Sequence, residues 1–432
     1  MVGKKSFNLE LTDEEESILH GQKGEILQKV MQTVVEYGEA CGASRLVSIE
    51  GNAHLVISHA FDGLGPSIQM MDELINAGLK IKKPFTANPR PFDCTNIKCT
   101  REQKRIFRDL YKRQDYYEEQ LKKLGLRDER AYTCTSYFPE VGNIPKKDTI
   151  LAWSESSAVV YANSVLGART NRNAAIFDLL CNIIGKAPLF GLLTEDGRRA
   201  HLVVELRTDN LPNSQLLGGV IGEKAGEEVP YIIGLDYFLG TELTDKSRDY
   251  LKDMGAACAA IGAVGLYHVE NITPEAKEQK RGILRENSSH YIIDNEEIKK
   301  TKYSYSVLWK NNRAKPRRCL IGCPHLSLNQ LNWWTKNIYQ RLEESGKEET
   351  EFDVVLCSAP EVIEKFREDK EAYAQISTKK IILSSMCIET FMNNRDIANE
   401  PVITNSNKLR AYTTARFFEE QELLEIIACG EI

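Results

Sequence analysis

Apolar residues recur along the chain with spacings that alternate between helical and strand-like periods. A capping box at residues 12–15 predicts one helix, and residues 26–35 predict a second with one apolar face. Residues 46–49 predict a short strand, and residues 67–77 predict a further helix. Later strand-like segments, each separated by helical sequence, lie at residues 231–233, 352–356 and 381–383. This alternation predicts an α/β fold with mainly parallel sheets.

Three stretches shape the expected domain organisation. The small residues at 255–265 predict close helix packing, and the charged segment 100–124 predicts a single helix that ends at Gly125. The Lys- and Asn-rich stretch 294–317 predicts an exposed connection. We therefore expect one α/β region at residues 1–300, with two intertwined subdomains, and a C-terminal α/β domain at residues 301–432.

Composition narrows the class of protein. The chain has 432 residues, 42% apolar and 27% charged, which excludes a disordered chain and predicts two or three domains. Lys plus Arg is 56 and Asp plus Glu is 62, giving a net charge of −6 that argues against nucleic acid or an anionic membrane as partner. No apolar run approaches the ~20 residues that a bilayer requires. Residues 1–6 lead straight into polar sequence and offer no apolar signal-peptide region, which predicts a cytoplasmic protein.

The eleven cysteines are then expected to be mostly reduced. They contain no CxxC pair and no zinc-finger spacing. Cys134 lies between threonines, Cys323 follows an apolar stretch, and Cys387 follows the strand at residues 381–383. The last two occupy strand-to-loop positions where open α/β sheets bind ligands. Spacing alone nevertheless favours buried core thiols over ligands.

Polar residues cluster in three further segments. Glu155 follows the apolar run 151–153, a predicted strand, and two arginines follow in the loop 167–172. Carboxylate and guanidinium groups suit acid–base chemistry and anion capture, although an ion pair between them is an equal alternative. The prolines around Arg90 fix a loop that either points at an anion or is a rigid surface turn. Residues 404–408 combine hydroxyls with an ammonium, and a solvated turn is the alternative there.

The segment 152–172, AWSESSAVVYANSVLGARTNR, closely resembles the signature of the aconitase X family, the large catalytic part of an iron–sulfur hydro-lyase. Residues 53–54, 256–276, 322–325 and 406–408 also resemble family segments. The resemblance covers about residues 10 to 415. It implies an aconitase-like multi-domain α/β fold without the small swivelling domain.

The resemblance also assigns residues to roles. Cys134, Cys323 and Cys387 match the three cluster ligands, so the expected cofactor is a 4Fe-4S cluster, or its degraded 3Fe-4S or 2Fe-2S form. The expected catalytic residues are Glu155, Ser156 and Lys408. The expected substrate-binding residues are Ser58, His59, Asn88, Arg90, Ser157, Arg169, Asn171, Arg172 and Ser406.

The implied reaction removes water from a small hydroxy acid, such as cis-3-hydroxy-L-proline or 5-phosphomevalonate. The chain ends at Ile432 without room for the swivelling domain, so we expect a separate small subunit that carries this domain and the general base. Two other hypotheses stay open. One is a cluster-free binding or regulatory protein with the same fold, and the other is a metal-independent isomerase that uses Glu155 and Lys408.

Overall fold

The structure is a computed structural model that describes residues 8–377 and 379–432, with the backbone alone at Asp62. Residues 1–6, on which the predicted localisation depends, lie outside the described residues. Within the described ranges, every helix is too short or too polar to traverse a lipid bilayer.

Parallel strands dominate the described residues. The thirteen strands are Leu46–Ser48 (β1), His54–Leu55 (β2), Thr86–Ala87 (β3), Lys186–Pro188 (β4), Ala200–Arg207 (β5), Pro230–Ile233 (β6), His268–Val269 (β7), Leu284–Asp294 (β8), Arg318–Leu326 (β9), Asp353–Ser358 (β10), Ile381–Ser384 (β11), Val402–Thr404 (β12) and Arg416–Phe417 (β13). One sheet has the order β11-β10-β9-β12-β13 and another the order β7-β6-β5-β8, and both are parallel throughout. The pair β2-β3 is parallel and the pair β1-β4 antiparallel. The predicted α/β fold with mainly parallel sheets is confirmed.

Helices connect and cover these strands. The first seven are Asp13–Leu19 (α1), Glu25–Ala40 (α2), Gly65–Asn76 (α3), Arg101–Leu110 (α4), Gln114–Leu124 (α5), Ser156–Tyr161 (α6) and Ala175–Ile184 (α7). The next five are Ser214–Ala225 (α8), Asp236–Leu239 (α9), Asp245–Ile261 (α10), Pro274–Gln279 (α11) and Asn295–Ser304 (α12). The C-terminal six are Leu328–Glu344 (α13), Pro360–Glu368 (α14), Lys370–Ser377 (α15), Ile388–Phe391 (α16), Asn407–Tyr412 (α17) and Glu420–Cys429 (α18).

Local signals in the sequence place most helix starts correctly. The capping box predicted at residues 12–15 is present, with Thr12 and Glu15 bonded to each other's backbone N–H groups. The predicted single helix at 100–124 is wrong, because the chain breaks between α4 and α5. Phe107 packs in the core beside β9 and β10, whereas Tyr117 packs in the N-terminal core. The two halves therefore bury their apolar faces against different partners, and one straight helix could not do both.

The close helix packing predicted for residues 255–265 is confirmed in α10. This helix lies against α8, whose glycines allow the two backbones to approach. A Cβ atom at Gly218 would overlap the carbonyl oxygen of Met254, and one at Gly222 would lie 2.8 Å from the oxygen of Cys258. The small residues in both helices therefore serve packing.

The region around residue 300 is more ordered than the sequence predicts. Residues 295–304 form α12 instead of part of an exposed connection. The four-stranded sheet lies before this helix and the five-stranded sheet after it. One apolar core nevertheless contains residues from both sides, for example Val204 and Ile321. The division at residue 300 stays a prediction.

The α8–α10 contact gives a test of the packing argument. Replacing Gly218 with alanine places a methyl group against the backbone of α10, so the free energy of unfolding should fall by about 1–3 kcal/mol. Urea unfolding followed by circular dichroism measures the change. Gly282→Ala is the matched control, because nothing lies within 4 Å of its Cβ position and its φ lies outside the left-handed region. Equal stability of the two variants would contradict the packing argument.

Candidate active site

Glu155 is positioned by the start of a buried helix. The preceding residues 151–154 belong to none of the described strands, contrary to the predicted strand. The N–H of Ser154 nevertheless donates to the oxygen of His54 at 3.1 Å. Glu155 is the N-cap of α6, where its Oε2 accepts from the N–H of Ala158 at 2.6 Å and from the hydroxyl of Ser157 at 2.7 Å. Its carboxylate is therefore held in one orientation.

The second carboxylate oxygen of Glu155 meets Lys408. The Nζ atom of Lys408 lies 3.3 Å from Oε1 of Glu155 and 3.3 Å from Oγ of Ser156. Burial alone raises the pKa of Glu155, but the ammonium of Lys408 and the hydroxyl of Ser157 outweigh it and hold the pKa below its usual value. Burial likewise lowers the pKa of Lys408, yet the neighbouring carboxylates, first Glu155, raise it well above normal. Both groups are therefore charged at neutral pH.

Three cysteines line the same cavity as this pair. The cavity has a volume of about 400 Å³, and Cys134, Cys323 and Cys387 all contribute to its wall. Cys134 comes from the loop after residue 127, Cys323 from β9, and Cys387 from the N-cap of α16. The hydroxyl of Ser406 donates to the oxygen of Cys323 at 2.7 Å, so the turn before α17 is fixed to β9. The fold thus brings together the thiols that the family resemblance singled out.

His325 joins the three cysteine segments. Its backbone N–H lies 3.2 Å from the sulfur of Cys134, which accepts the hydrogen bond. Its ring Nδ1 lies 3.0 Å from the hydroxyl of Thr133, and its Nε2 lies 3.2 Å from the oxygen of Met386. Burial lowers the pKa of His325 to about 4, so the ring is neutral. A carbonyl can only accept, so Nε2 carries the proton and Nδ1 accepts from Thr133.

The thiols are neutral as they stand. Burial raises the pKa of Cys134 well above its usual range, that of Cys323 to about 12 and that of Cys387 to about 11. A bound metal reverses this preference, because iron binds the thiolate.

Thiols of the kind that iron–sulfur clusters take line the cavity. Among the described residues, no three His, Cys, Asp or Glu side chains lie close enough together to coordinate one metal ion. An iron–sulfur cluster takes thiolates spread around a larger body, which the three thiols around the cavity provide. The N–H donor to Cys134 also suits a cluster thiolate, since hydrogen bonds to sulfur tune such centres.

The predicted residues near the prolines divide into two groups. His59 and Asn88 line the cavity, with Nδ2 of Asn88 3.0 Å from Nε2 of His59. Ser58 is fully buried behind them, where its N–H donates to Oδ1 of Asn88 at 2.9 Å and its hydroxyl donates to the oxygen of Pro89 at 2.7 Å. Ser58 therefore supports the wall without forming it.

The predicted anion-binding arginines do not line the cavity. Arg90 forms ion pairs with Glu118 at 3.0 Å and with Glu129 at 2.9 Å, and Arg169 pairs with Asp148 at 3.1 Å. Both guanidiniums therefore already have carboxylate partners. The alternative in which one of the arginines of the loop 167–172 pairs with Glu155 is also not seen, since Lys408 takes that place.

The rest of the loop 167–172 is similarly engaged. The Oδ1 atom of Asn171 accepts from the N–H of Leu192 at 2.8 Å, and its Nδ2 donates to the oxygen of Phe190 at 3.1 Å. Arg172 also lies outside the cavity wall. The arrangement thus favours a structural role for the loop over the predicted role in substrate binding.

Sequence reasoning missed part of the wall. Met386, Glu389, Asn393 and Tyr412 line the cavity but carry no motif. Glu389 is the most consequential, because it adds a second carboxylate. Its position in the first turn after the ligand candidate Cys387 was the one signal in the sequence that could have found it.

An α/β fold that gathers three thiols and a buried carboxylate–ammonium pair around one cavity places the chain among aconitase-like proteins. A family model described as the aconitase X first domain matches residues 8–196, and one described as the aconitase X second domain matches residues 200–303. The chain belongs to the aconitase X family. This aconitase-like family implies an iron–sulfur cluster in general terms.

Individual relatives agree with this assignment. The phosphomevalonate dehydratase large subunit of Thermococcus kodakarensis is 32% identical over 78% of this chain and 78% of its own length. The cis-3-hydroxy-L-proline dehydratase of Hypocrea jecorina is 29% identical over 75% of this chain and 52% of its own length. The crystal structure of Thermococcus kodakaraensis aconitase X in its holo form superposes with a TM-score of 0.79 at 27% identity, covering 98% of this chain and 100% of that one.

The buried ion pair gives a test of the site's electrostatics. Lys408→Met leaves Glu155 buried without its counter-charge, so the free energy of unfolding should fall by about 3–5 kcal/mol. Urea unfolding measures the loss, and the double variant Glu155→Gln/Lys408→Met should recover part of it.

The matched control is Lys365→Met, which removes a Lys–Glu pair with Glu368 on the protein surface. It should change stability little, because solvent screens exposed pairs. A loss in Lys408→Met no larger than in this control would show that the pair is not buried as described.

Proposed function

We propose that this chain is the large subunit of an iron–sulfur dehydratase that removes water from a small hydroxy acid. Cys134, Cys323 and Cys387 hold a 4Fe-4S cluster in this proposal. The observation that carries it is the convergence of these thiols on the cavity that Glu155 and Lys408 also line. Free thiols at all eleven cysteines, each in the described part of the chain, support a reducing compartment such as the cytoplasm.

The cluster, when bound, supplies a Lewis-acidic iron without a protein ligand that polarises the hydroxyl of the substrate. Lys408 binds the substrate carboxylate through its ammonium, and the hydroxyl of Ser156, 3.3 Å from Nζ, orients the same group. Glu155 keeps Lys408 charged and in place. His59 and Asn88 shape the opposite wall.

Dehydration also requires a base. The reaction breaks one C–O and one C–H bond and forms a C=C bond, so a base must take the carbon-bound proton and the departing hydroxyl must gain a proton to leave as water. The two carboxylate oxygens of Glu155 are engaged by Lys408, Ser157 and a backbone N–H. We assign the base to a separate small subunit, which the names of the large-subunit relatives support.

The cysteines provide the first test. Anaerobically purified wild-type protein should be brown and contain iron, because three thiolates hold the cluster. Cys134→Ser, Cys323→Ser and Cys387→Ser should each lose iron and the near-ultraviolet and visible absorption. Iron analysis and absorption spectra measure both.

Cys94→Ser is the matched control, since Cys94 is equally half-buried but lies outside the cavity wall. It should keep the wild-type iron content. A colourless anaerobic wild-type protein would support the cluster-free binding protein or the metal-independent isomerase. Iron that survives in all three variants would instead refute the assignment of the three cysteines as its ligands.

The second test concerns the partner. The purified large chain with iron restored should show no turnover of either cis-3-hydroxy-L-proline or 5-phosphomevalonate, because the base is missing. Adding the native small subunit should restore turnover, whereas heat-denatured small subunit should not. Product absorbance measures the rate, and turnover by the large chain alone would refute the assignment of the base to the partner.

A further inference from the structure

A buried lysine lies directly behind the candidate site. Lys252 on α10 is 1% exposed and does not belong to the wall of the site cavity. An ammonium withdrawn from water is costly unless its charge and its N–H donors are matched. An apolar side chain of similar length would fill the same space without that cost. The contacts of the ammonium therefore set Lys252 apart from a packing residue.

The ammonium of Lys252 has three acceptors within reach. Its Nζ atom lies 2.9 Å from the backbone oxygen of His325 and 3.3 Å from Oδ1 of Asp253. It also donates to Oε1 of Gln330 on α13. An ammonium has three donors, so these contacts use its full capacity. The contact with His325 is the one that reaches β9, which carries Cys323.

Gln330 and Asp253 hold the ammonium in one orientation. The Nε2 atom of Gln330 donates to Oδ2 of Asp253 at 2.7 Å, and its Oε1 accepts from the N–H of Ser327 in the capping box of α13. Burial raises the pKa of Asp253, and the ammonium of Lys252 opposes that rise. The lysine, glutamine and aspartate thus form a closed set of contacts, so the ammonium cannot leave His325 without disturbing it.

His325 connects this set of contacts to a cluster ligand. Its backbone N–H lies 3.2 Å from the sulfur of Cys134, and its ring joins Thr133 and Met386. With the ring and the carbonyl both held, the backbone of His325 cannot rotate, and the N–H keeps pointing at the sulfur. Loss of Lys252 would release the carbonyl and with it this rotation.

We propose that Lys252 is a positioning residue for the iron–sulfur cluster, because its ammonium holds the carbonyl of His325 so that the N–H of that residue stays directed at the sulfur of Cys134. The inference rests on the proposed function, in which this sulfur binds the cluster. A hydrogen bond to a ligating sulfur stabilises the thiolate and raises the reduction potential of the cluster. Lys252 thus acts on the cluster through His325.

A pair of variants isolates the ammonium. Lys252→Met/Asp253→Asn removes the ammonium and its counter-charge together, so no unpaired charge stays buried. Asp253→Asn alone is the matched control, because it keeps the bond between Lys252 and the carbonyl of His325. Lys252→Met is a second test variant and should respond in the same direction as the double variant. Circular dichroism and urea unfolding establish that each variant is folded.

The backbone N–H of His325 can be observed directly. The chain has seven histidines, so isotopically labelled histidine gives few backbone signals in a two-dimensional NMR spectrum. In the iron-free full chain, hydrogen exchange at His325 should be at least about tenfold faster in the double variant than in Asp253→Asn. The reason is that a charge-assisted hydrogen bond, which opposes local opening, is lost.

The holo large subunit with its small subunit gives a second readout. Iron should pass to an excess of chelator under anaerobic conditions about tenfold faster from the double variant than from Asp253→Asn, since groups that orient a metal ligand commonly contribute ~10–100-fold to metal affinity. The midpoint potential of the cluster should also be more negative, because a donor to sulfur is lost. A purely structural role would lower stability in urea and leave both quantities unchanged.

Equal exchange at His325 in the double variant and in Asp253→Asn would overturn the inference. Equal iron release together with an equal midpoint potential would overturn it as well. An anaerobic wild-type protein without a cluster would overturn the proposed function instead, and the exchange measurement would still decide whether Lys252 positions His325.

Discussion

The candidate site depends on the hydrogen bonds that the neutral ring of His325 makes. Its Nε2–H donates to the oxygen of Met386, beside Cys387, and its Nδ1 accepts from Thr133, beside Cys134. His325 itself lies on β9, shortly after Cys323. Segments that lie 192 residues before and 61 residues after His325 are thereby joined at one imidazole. Protonation would reverse the hydrogen bond with Thr133, because a charged ring can only donate to that hydroxyl. Burial prevents this by disfavouring the charged form.

Close packing elsewhere supports the same geometry. A Cβ atom at Gly219 on α8 would overlap the amide of Asn407, the residue before Lys408, and that amide donates to the oxygen of Gln215 at 3.0 Å. The glycine thus lets α17 dock on α8, and the docked helix directs Lys408 towards Glu155, 253 residues earlier in the chain. The glycines that flank Gly219 serve the α8–α10 contact. One short helix therefore connects core packing to the site.

The sequence predicted the elements and part of the site, and the failures have a common cause. Hydrophobic periodicity and helix caps depend on neighbours within a few residues. The predictions of the α/β pattern and of the capping box at Thr12 were therefore correct. The break at residues 111–113 and the helix at 295–304 depend on distant cores, which periodicity does not report. The ligand candidates came from family resemblance, since spacing alone favoured core thiols. The pair of Arg169 with Asp148 likewise joins two separate loops, and the sequence pattern does not report it.

The same distinction explains why the site is easier to recognise than its substrate. Thiols that bind a cluster must occupy fixed places, so their positions persist in a recognisable pattern. Groups that bind the substrate need only match its charge. An arginine that forms an ion pair with a nearby carboxylate is no longer available to the substrate, and Arg90 forms such a pair with Glu118. What remains on the wall is one balanced ion pair and one carboxylate without a partner.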